Sequence, residues 1–225
     1  DHLSSFIPKD SKTILDVGCG IGGNTEFLLN KGYSLEALSP DNYQKSVIIK
    51  KFKNKVVFHH CKFEDFKPTT YCDLILESES ACYIDINKGF RKAREVLKDD
   101  GYLLVSDYFV FYRDDSKNLH LKSSHDLSKY LKSAEKNGFD LVKEYNQTDN
   151  TMLTLDYANY LVERFVNPTI DYGVFSLKKN YPRISKLIGQ FIKKKWFEKK
   201  NQLDLINSNL FRKYRKYMIY LFKKI

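Results

Sequence analysis

Ile14-Leu15-Asp16-Val17-Gly18-Cys19-Gly20-Ile21-Gly22-Gly23 is the stretch whose reading decides the fold. It joins the short β-rich apolar run Thr13 to Val17 to Thr25-Glu26-Phe27-Leu28-Leu29, which carries helical spacing and ends at Gly32. The order is strand, tight turn, helix. Glycines in that turn let the backbone bend sharply and come close to a ligand at the carboxyl end of the strand. Gly18, Gly20 and Gly23 also satisfy the dinucleotide spacing GxGxxG, so the glycines alone do not choose a ligand. Asp16 does. A carboxylate two residues ahead of Gly18 repels a pyrophosphate and attracts a cationic group, which suits a sulfonium bearing an amino-acid ammonium.

Downstream, the same rhythm repeats. Ser34 to Leu38 predicts a second strand, Asn42 to about Lys53 a helix, Lys55 to His59 a third strand and Asp73 to Glu77 a fourth. Asn87 to Leu97 is amphipathic, with Phe90, Ala93, Val96 and Leu97 on one side, and leads through Gly101 into the apolar strand Tyr102 to Ser106. Ser124 is placed to cap a helix from His125 to Asn137, stopped by Gly138 before a strand over Asp140 to Tyr145. Strand-helix alternation predicts a doubly wound α/β protein with a seven-stranded, mostly parallel sheet.

After Gln147 the pattern changes to helical, aromatic and basic sequence, until Tyr214 to Phe222 supplies one more β-rich run. The expected organisation is a core over 1–148, a helical cap inserted at 149–210, and the last core strand within 211–225. In the cap, Ile184, Leu187, Ile188, Phe191 and Ile192 share a face opposite Lys186, Lys193 and Lys194, fit to pack on the core, cover a site or lie on a membrane.

The 225 residues are 42% hydrophobic and 15% aromatic, which excludes a disordered chain, and the length suits one core with one elaboration. The formal charge of +10 favours acidic partners, but much of it lies late, in Lys193, Lys194, Lys195, Lys199 and Lys200, and again in Arg212, Lys213, Arg215 and Lys216. Peripheral contact with an anionic membrane is one use of that charge; a solvated lysine-rich surface is the plainer one. Cys19, Cys61, Cys72 and Cys82 form no CxxC pair and have no histidines at ligand spacing, so neither a metal site nor a disulfide framework is expected. No run of 18 apolar residues and no charged-then-apolar leader occurs, and the expected location is the cytoplasm.

Leu15 to Gly23, with Leu38-Ser39-Pro40 and Gln44 at the end of the second strand, resembles the class I S-adenosylmethionine-dependent methyltransferases, in particular the branch of tocopherol, sterol and sugar methyltransferases. The resemblance covers about residues 11 to 148 and takes in Gly101 to Ser106 as the family's fifth strand. It implies S-adenosylmethionine as cofactor, with Asp16, Gly18, Cys19 and Gly20 at the methionine portion, Ser39, Pro40 and Gln44 on the ribose side, and Lys62 and Phe63 at the adenine. Two positions depart from the family: Ser39 replaces the usual ribose-binding acid, and Lys62 replaces an aspartate that accepts from the adenine amine. Lysine has no acceptor, so Glu64, Asp65, the backbone or the Phe63 ring must substitute.

The fourth strand runs into Leu76-Glu77-Ser78-Glu79-Ser80, where an acceptor is expected to approach. No Asn/Asp-Pro-Pro-aromatic run follows, which counts against base and amide methylation and leaves nucleic acid an unfavoured acceptor. Glu77 is expected to help position the cofactor, and Glu79 to serve as a catalytic carboxylate on a hydroxyl or amine. Tyr83, Tyr108 and Tyr112 are candidate pocket walls. His125 is the candidate base among the histidines, with His120 nearby, whereas His59 and His60 end the third strand. The expected function is methylation of a small acceptor at O, N or C; the alternatives are a binding or regulatory module without turnover, and a nucleic-acid methyltransferase.

Overall fold

The computed structural model describes residues 2–111, 125–183, 185 and 207–225. The chain divides into two compact units, one formed by Asp1–Gln147 with Lys216–Ile225 and the other by Thr148–Arg215.

The first unit is built on β1 (Thr13–Val17), α1 (Gly23–Asn30), β2 (Ser34–Leu38), α2 (Asn42–Phe52), β3 (Val57–His59) and β4 (Cys72–Ser78). It continues with α3 (Ile86–Val96), β5 (Leu97–Val110), β6 (His125–Asp126), α4 (Leu127–Lys136), β7 (Phe139–Asn146) and β8 (Arg215–Lys224). The strands form one sheet in the order β3-β2-β1-β4-β5-β8-β7, with β6 on the side of β5. β7 runs antiparallel to β8, whereas β1, β2, β3, β4, β5 and β6 pair in parallel. The sheet therefore has eight strands rather than seven: two residues, His125 and Asp126, add a short rung beside Phe109 and Val110.

Alternation along the strands sorts the core into two layers. Leu15, Val17, Ile75, Leu103 and Val105 meet Phe90, Ala93 and Val96 of α3 and Tyr130 and Ala134 of α4. Ile14, Leu74, Leu76 and Leu104 meet Leu28 of α1 and Ile48 and Phe52 of α2 on the other face. Burial on both faces explains why these strands read as continuous apolar runs.

Several boundaries shift for local reasons. Lys53 takes φ +50 and a 3-10 turn fills Lys53–Lys55, so β3 starts at Val57 rather than Lys55. The fourth helix starts at Leu127, because Asp126 accepts from the Lys129 amide at 3.0 Å and is its N-cap; Ser124 lies outside the described residues. Asp41 and Asp85 cap α2 and α3 in the same way.

The second unit holds α5 (Thr148–Leu161), a π-helical turn over Val162–Val166, α6 (Asn167–Asn180) and α7 (Ser208–Tyr214). Pro168 lies in the first turn of α6; its missing N–H and its ring displace the carbonyl four residues back, inside the π turn. Asp149 of α5 accepts from Arg212 of α7 at 3.1 Å. The apolar face read at Ile184, Leu187, Ile188, Phe191 and Ile192 lies outside the described residues. No helix among the described residues is long and apolar enough to cross a membrane.

Asp73 staples the amino end of β4 to that of β1. Its carboxylate accepts from the amides of Lys12 and Thr13 and from the Thr13 hydroxyl, at 2.8–2.9 Å, and pairs with Lys98 at 2.7 Å. Partial burial works to raise its pKa, but Lys98 and these donors outweigh it and hold the carboxyl well below the usual range. Asp73→Asn keeps the shape and loses the charge; it is expected to lower Tm by about 3–6 °C at pH 7 in a differential scanning experiment. Because a depressed pKa stabilises only while the group is ionised, the difference from the parent chain should shrink as pH falls below about 4.

Candidate functional site

β1 delivers Asp16 to the carboxyl edge of the sheet, in register with Ala37 of β2 and Leu76 of β4. Its carboxylate is 1% exposed and accepts from the Thr25 hydroxyl of α1 at 2.6 Å. Burial pushes its pKa up to about 6 against the pull of that hydrogen bond. The chain then turns on itself: the Gly18 amide donates to the Leu38 carbonyl at 2.8 Å with φ +72. A Cβ on Gly18 would lie 2.4 Å from Cβ of Ser80, whose hydroxyl donates to the Val17 carbonyl at 2.6 Å. Gly20 also has a left-handed φ of +56, but a Cβ there would meet nothing within 4 Å, so this part of the loop faces open space. Cys19 is no nucleophile; burial first, and the charge of Asp16 second, push its thiol up to about 12.

The end of β2 forms a knot beside this loop. The Ser39 hydroxyl donates to the Gln44 side-chain carbonyl at 2.7 Å and accepts from the Asp41 amide at 3.1 Å. The Pro40 carbonyl is within 3.0 Å of Nε2 of His60. Ser39, Asp41 and Gln44 are thus one hydrogen-bonded group, with the Pro40 carbonyl turned to His60. Lys62 is exposed at the start of the 3-10 segment Phe63–Asp65. The Phe63 ring is 2% exposed and packs in the core with Leu15, Val17 and Leu38, which corrects the expectation that it holds an adenine; its backbone is what remains on offer. Glu64 accepts from the Asp85 amide at 3.1 Å, and Asp65 is exposed.

Beyond β4 the backbone is strained. Glu79 takes φ +55, its amide donates to the Ser106 carbonyl at 2.8 Å, and its carboxylate accepts from the Tyr217 hydroxyl of β8 at 2.7 Å. Gln147 donates to the Ser106 hydroxyl at 3.1 Å. Next to this group Asp107 is fully buried and accepts from the amides of Cys82 and Tyr108; burial raises its pKa. Tyr83 is 76% exposed and Tyr108 half-buried, while Tyr112 and His120 lie outside the described residues.

Two assignments change. Glu77 is in register with Val17, not Asp16, so it emerges on the opposite face of the sheet from Asp16. His125 spends Nε2 on the Ala81 carbonyl at 2.8 Å and stacks on Tyr130, which makes it a tether for the turn after β4 rather than an aimed base. His59 pairs with Glu36 at 2.6 Å. Sequence reading missed Tyr217, Ser106, Asp107 and Gln147. Only Asp41 carried a local signal, the Asp-x-x-Gln spacing to Gln44 at a helix start.

A doubly wound sheet with a glycine loop, a polar knot and a strained carboxylate along one edge defines an α/β protein built to hold a cofactor there. The chain belongs to the family described as "Methyltransferase domain", which matches residues 2–147. No curated protein matches the sequence. Solved structures with the same fold include the cyclopropane synthase MmaA2 of Mycobacterium tuberculosis, at 16% identity and TM-score 0.70, covering 99% of this chain and 81% of that one. The geranyl diphosphate C-methyltransferase of Streptomyces coelicolor, solved with Mg2+, geranyl diphosphate and S-adenosyl-L-homocysteine, matches at 15% and 0.70, covering 100% and 78%. The phosphoethanolamine N-methyltransferase 2 of Haemonchus contortus, solved with phosphomonomethylethanolamine and S-adenosylhomocysteine, matches at 18% and 0.69; this chain, covered to 99%, spans 51% of it.

Gly18→Ala and Gly20→Ala separate packing from conformation. Both carry a left-handed cost of about 1–2 kcal/mol, but only Gly18→Ala also collides with Ser80, so thermal melts should show losses of about 5–15 °C and about 2–6 °C respectively.

Burial first, then Asp107 and Glu64, push Glu77 from 4.5 up to about 8. The folded chain holds a proton that the unfolded chain releases in that window, so this contribution is present at low pH and is lost as pH rises from about 4.5 to about 8. Glu77→Gln should flatten the fall in Tm measured between those limits, with Tm above the parent's at the alkaline end.

Proposed function

We propose that this chain is an enzyme that moves the methyl group of S-adenosylmethionine to a small-molecule acceptor at O, N or C. The observation that carries the reading is Asp16 with the loop behind it: one buried carboxylate at the strand end, followed by a glycine turn that faces open space at Gly20. An electropositive, amino-acid-bearing ligand suits that carboxylate, and a bare Gly20 leaves it room. When bound, S-adenosylmethionine supplies an electrophilic methyl on a sulfonium. The Ser39 hydroxyl and Gln44 amide offer paired hydrogen-bonding groups for a ribose, and the Lys62–Phe63 backbone an edge for the adenine. The presence of S-adenosylhomocysteine in two of the solved neighbours supports the cofactor.

Methyl transfer from a sulfonium asks the protein for alignment and exclusion of water more than for covalent help. Glu79 is the side chain fit to receive a proton from a hydroxyl or ammonium acceptor. Its strained backbone is anchored through Ser106, and Tyr217 orients its carboxylate. Tyr83 and Tyr108 add aromatic surface beside the turn after β4. The basic residues after Lys178 suit peripheral contact with an anionic membrane as a route for fetching an apolar acceptor, a contact that added salt should abolish.

Calorimetric titration of the full chain with S-adenosylmethionine is expected to show saturable binding that Asp16→Asn weakens by at least about tenfold, the size of a lost charge-assisted contact. Glu79→Gln should leave cofactor affinity unchanged and lower turnover in an acceptor screen read by mass spectrometry. Absence of binding up to millimolar cofactor overturns the proposal.

A further inference from the structure

Where the end of β4, the turn Ala81–Tyr83, α3 and α4 meet, two buried polar groups face one pocket. Glu77 and Tyr130 are each 3% exposed, and neither side chain has a hydrogen bond to a described residue. Both line a pocket walled by Ala81, Ile84, Phe90 and Leu103, with about 10 Å³ for the centre of a guest, room for a single water-sized group. A buried acceptor left without a donor is costly, so the pocket suits a guest that donates hydrogen bonds.

The charge around it narrows the guest further. Asp107 on β5 and Glu64 in the segment after β3 both act on Glu77, and Glu77 and Asp107 both act on Tyr130. Asp85, also on the pocket wall, spends Oδ1 on the Lys88 amide. His125 on β6 stacks on the Tyr130 ring with Nε2 on a carbonyl, and Tyr220 of β8 also acts on Tyr130. No described lysine or arginine forms an ion pair with Glu64, Glu77, Glu79 or Asp107, in a chain whose formal charge is +10. An anion is repelled here, an apolar group leaves the carboxyl unmet, and a neutral donor ignores the field. A compact cation that donates several hydrogen bonds answers all three.

We propose that this pocket is a binding site for ammonium ion, held by the Glu77 carboxylate and seated against Tyr130. Glu77 is buried as the neutral acid, so the entering cation drives off its proton to solvent and the net charge of the site is unchanged. Glu77 lies on the opposite face of the sheet from Asp16, so this pocket does not use the Asp16 carboxylate.

The test is calorimetric titration of the full chain with ammonium chloride at about pH 7 in two buffers of different ionisation enthalpy, with methylammonium chloride, potassium chloride and methanol as comparison probes. Saturable binding of ammonium is expected, with up to one proton released per site, falling towards zero above about pH 9. Ammonium is expected to bind more tightly than methylammonium, whose methyl group exceeds the room in the pocket, and tighter binding of methylammonium overturns the proposal. Glu77→Gln should cost at least about tenfold in affinity and Tyr130→Phe less, with thermal melts confirming that both fold. Should Glu77→Gln not fold, proton release by the parent chain decides. Equal affinity for potassium or methanol, unchanged affinity in Glu77→Gln, or no binding up to about 100 mM overturns the proposal. Titration with S-adenosylmethionine is scored separately, so failure of the ammonium site and failure of the methyltransferase reading are distinguishable.

Discussion

The approach of two backbones over Gly18 is the constraint on which the rest of this structure depends. The Ser80 hydroxyl reaches the Val17 carbonyl across a position where a single methyl group would stand 2.4 Å from the serine side chain. That contact brings the glycine loop after β1 against the turn after β4, so the two halves of the site share one rigid edge. The Gly18 amide, bonded to Leu38, adds the end of β2 to the same edge. Three strand ends are thereby held in fixed relation before any ligand arrives, which is the preorganisation a transfer reaction needs.

Charge along this edge runs against the charge of the whole. A basic chain concentrates Asp16, Glu77, Glu79 and Asp107 at the carboxyl ends of its central strands, and burial pushes up the pKa of Asp16, Glu77 and Asp107. Two environments result. Asp107 and Glu79 are satisfied by amides and a tyrosine hydroxyl and are fixed in direction, whereas Glu77 has no such donor and burial with the nearby Asp107 and Glu64 pushes its pKa up. Closely spaced carboxyls with different surroundings acquire different protonation states at one pH, which lets one edge both attract cations and accept protons.

The central strands and the glycine loop were legible in the sequence because their causes are local. A run such as Ile14 to Val17 is apolar on both faces, Gly18 and Gly20 mark backbone that side chains disfavour, and Asp16 precedes them by a fixed spacing. Helix faces such as Phe90, Ala93 and Val96 were equally plain, since a 3.6-residue period is written into consecutive residues. Boundaries were less so: β3 is shortened by the left-handed Lys53, and α4 begins where Asp126 caps it.

What the tertiary structure alone decided is which side chains meet. Tyr217 is 138 residues from the Glu79 it orients, and no local pattern announces such a pair. The face on which Glu77 emerges depends on strand register, and a one-residue offset moves a side chain to the other side of the sheet. Phe63 and His125 carry chemistry-bearing side chains, yet one is consumed by the core and the other by a carbonyl. The sequence by itself determined the elements, the loop and the charge beside it, because backbone conformation and periodicity are properties of neighbours along the chain. Only folding decided the pairing and protonation of the site, because burial and partners come from residues far apart in it.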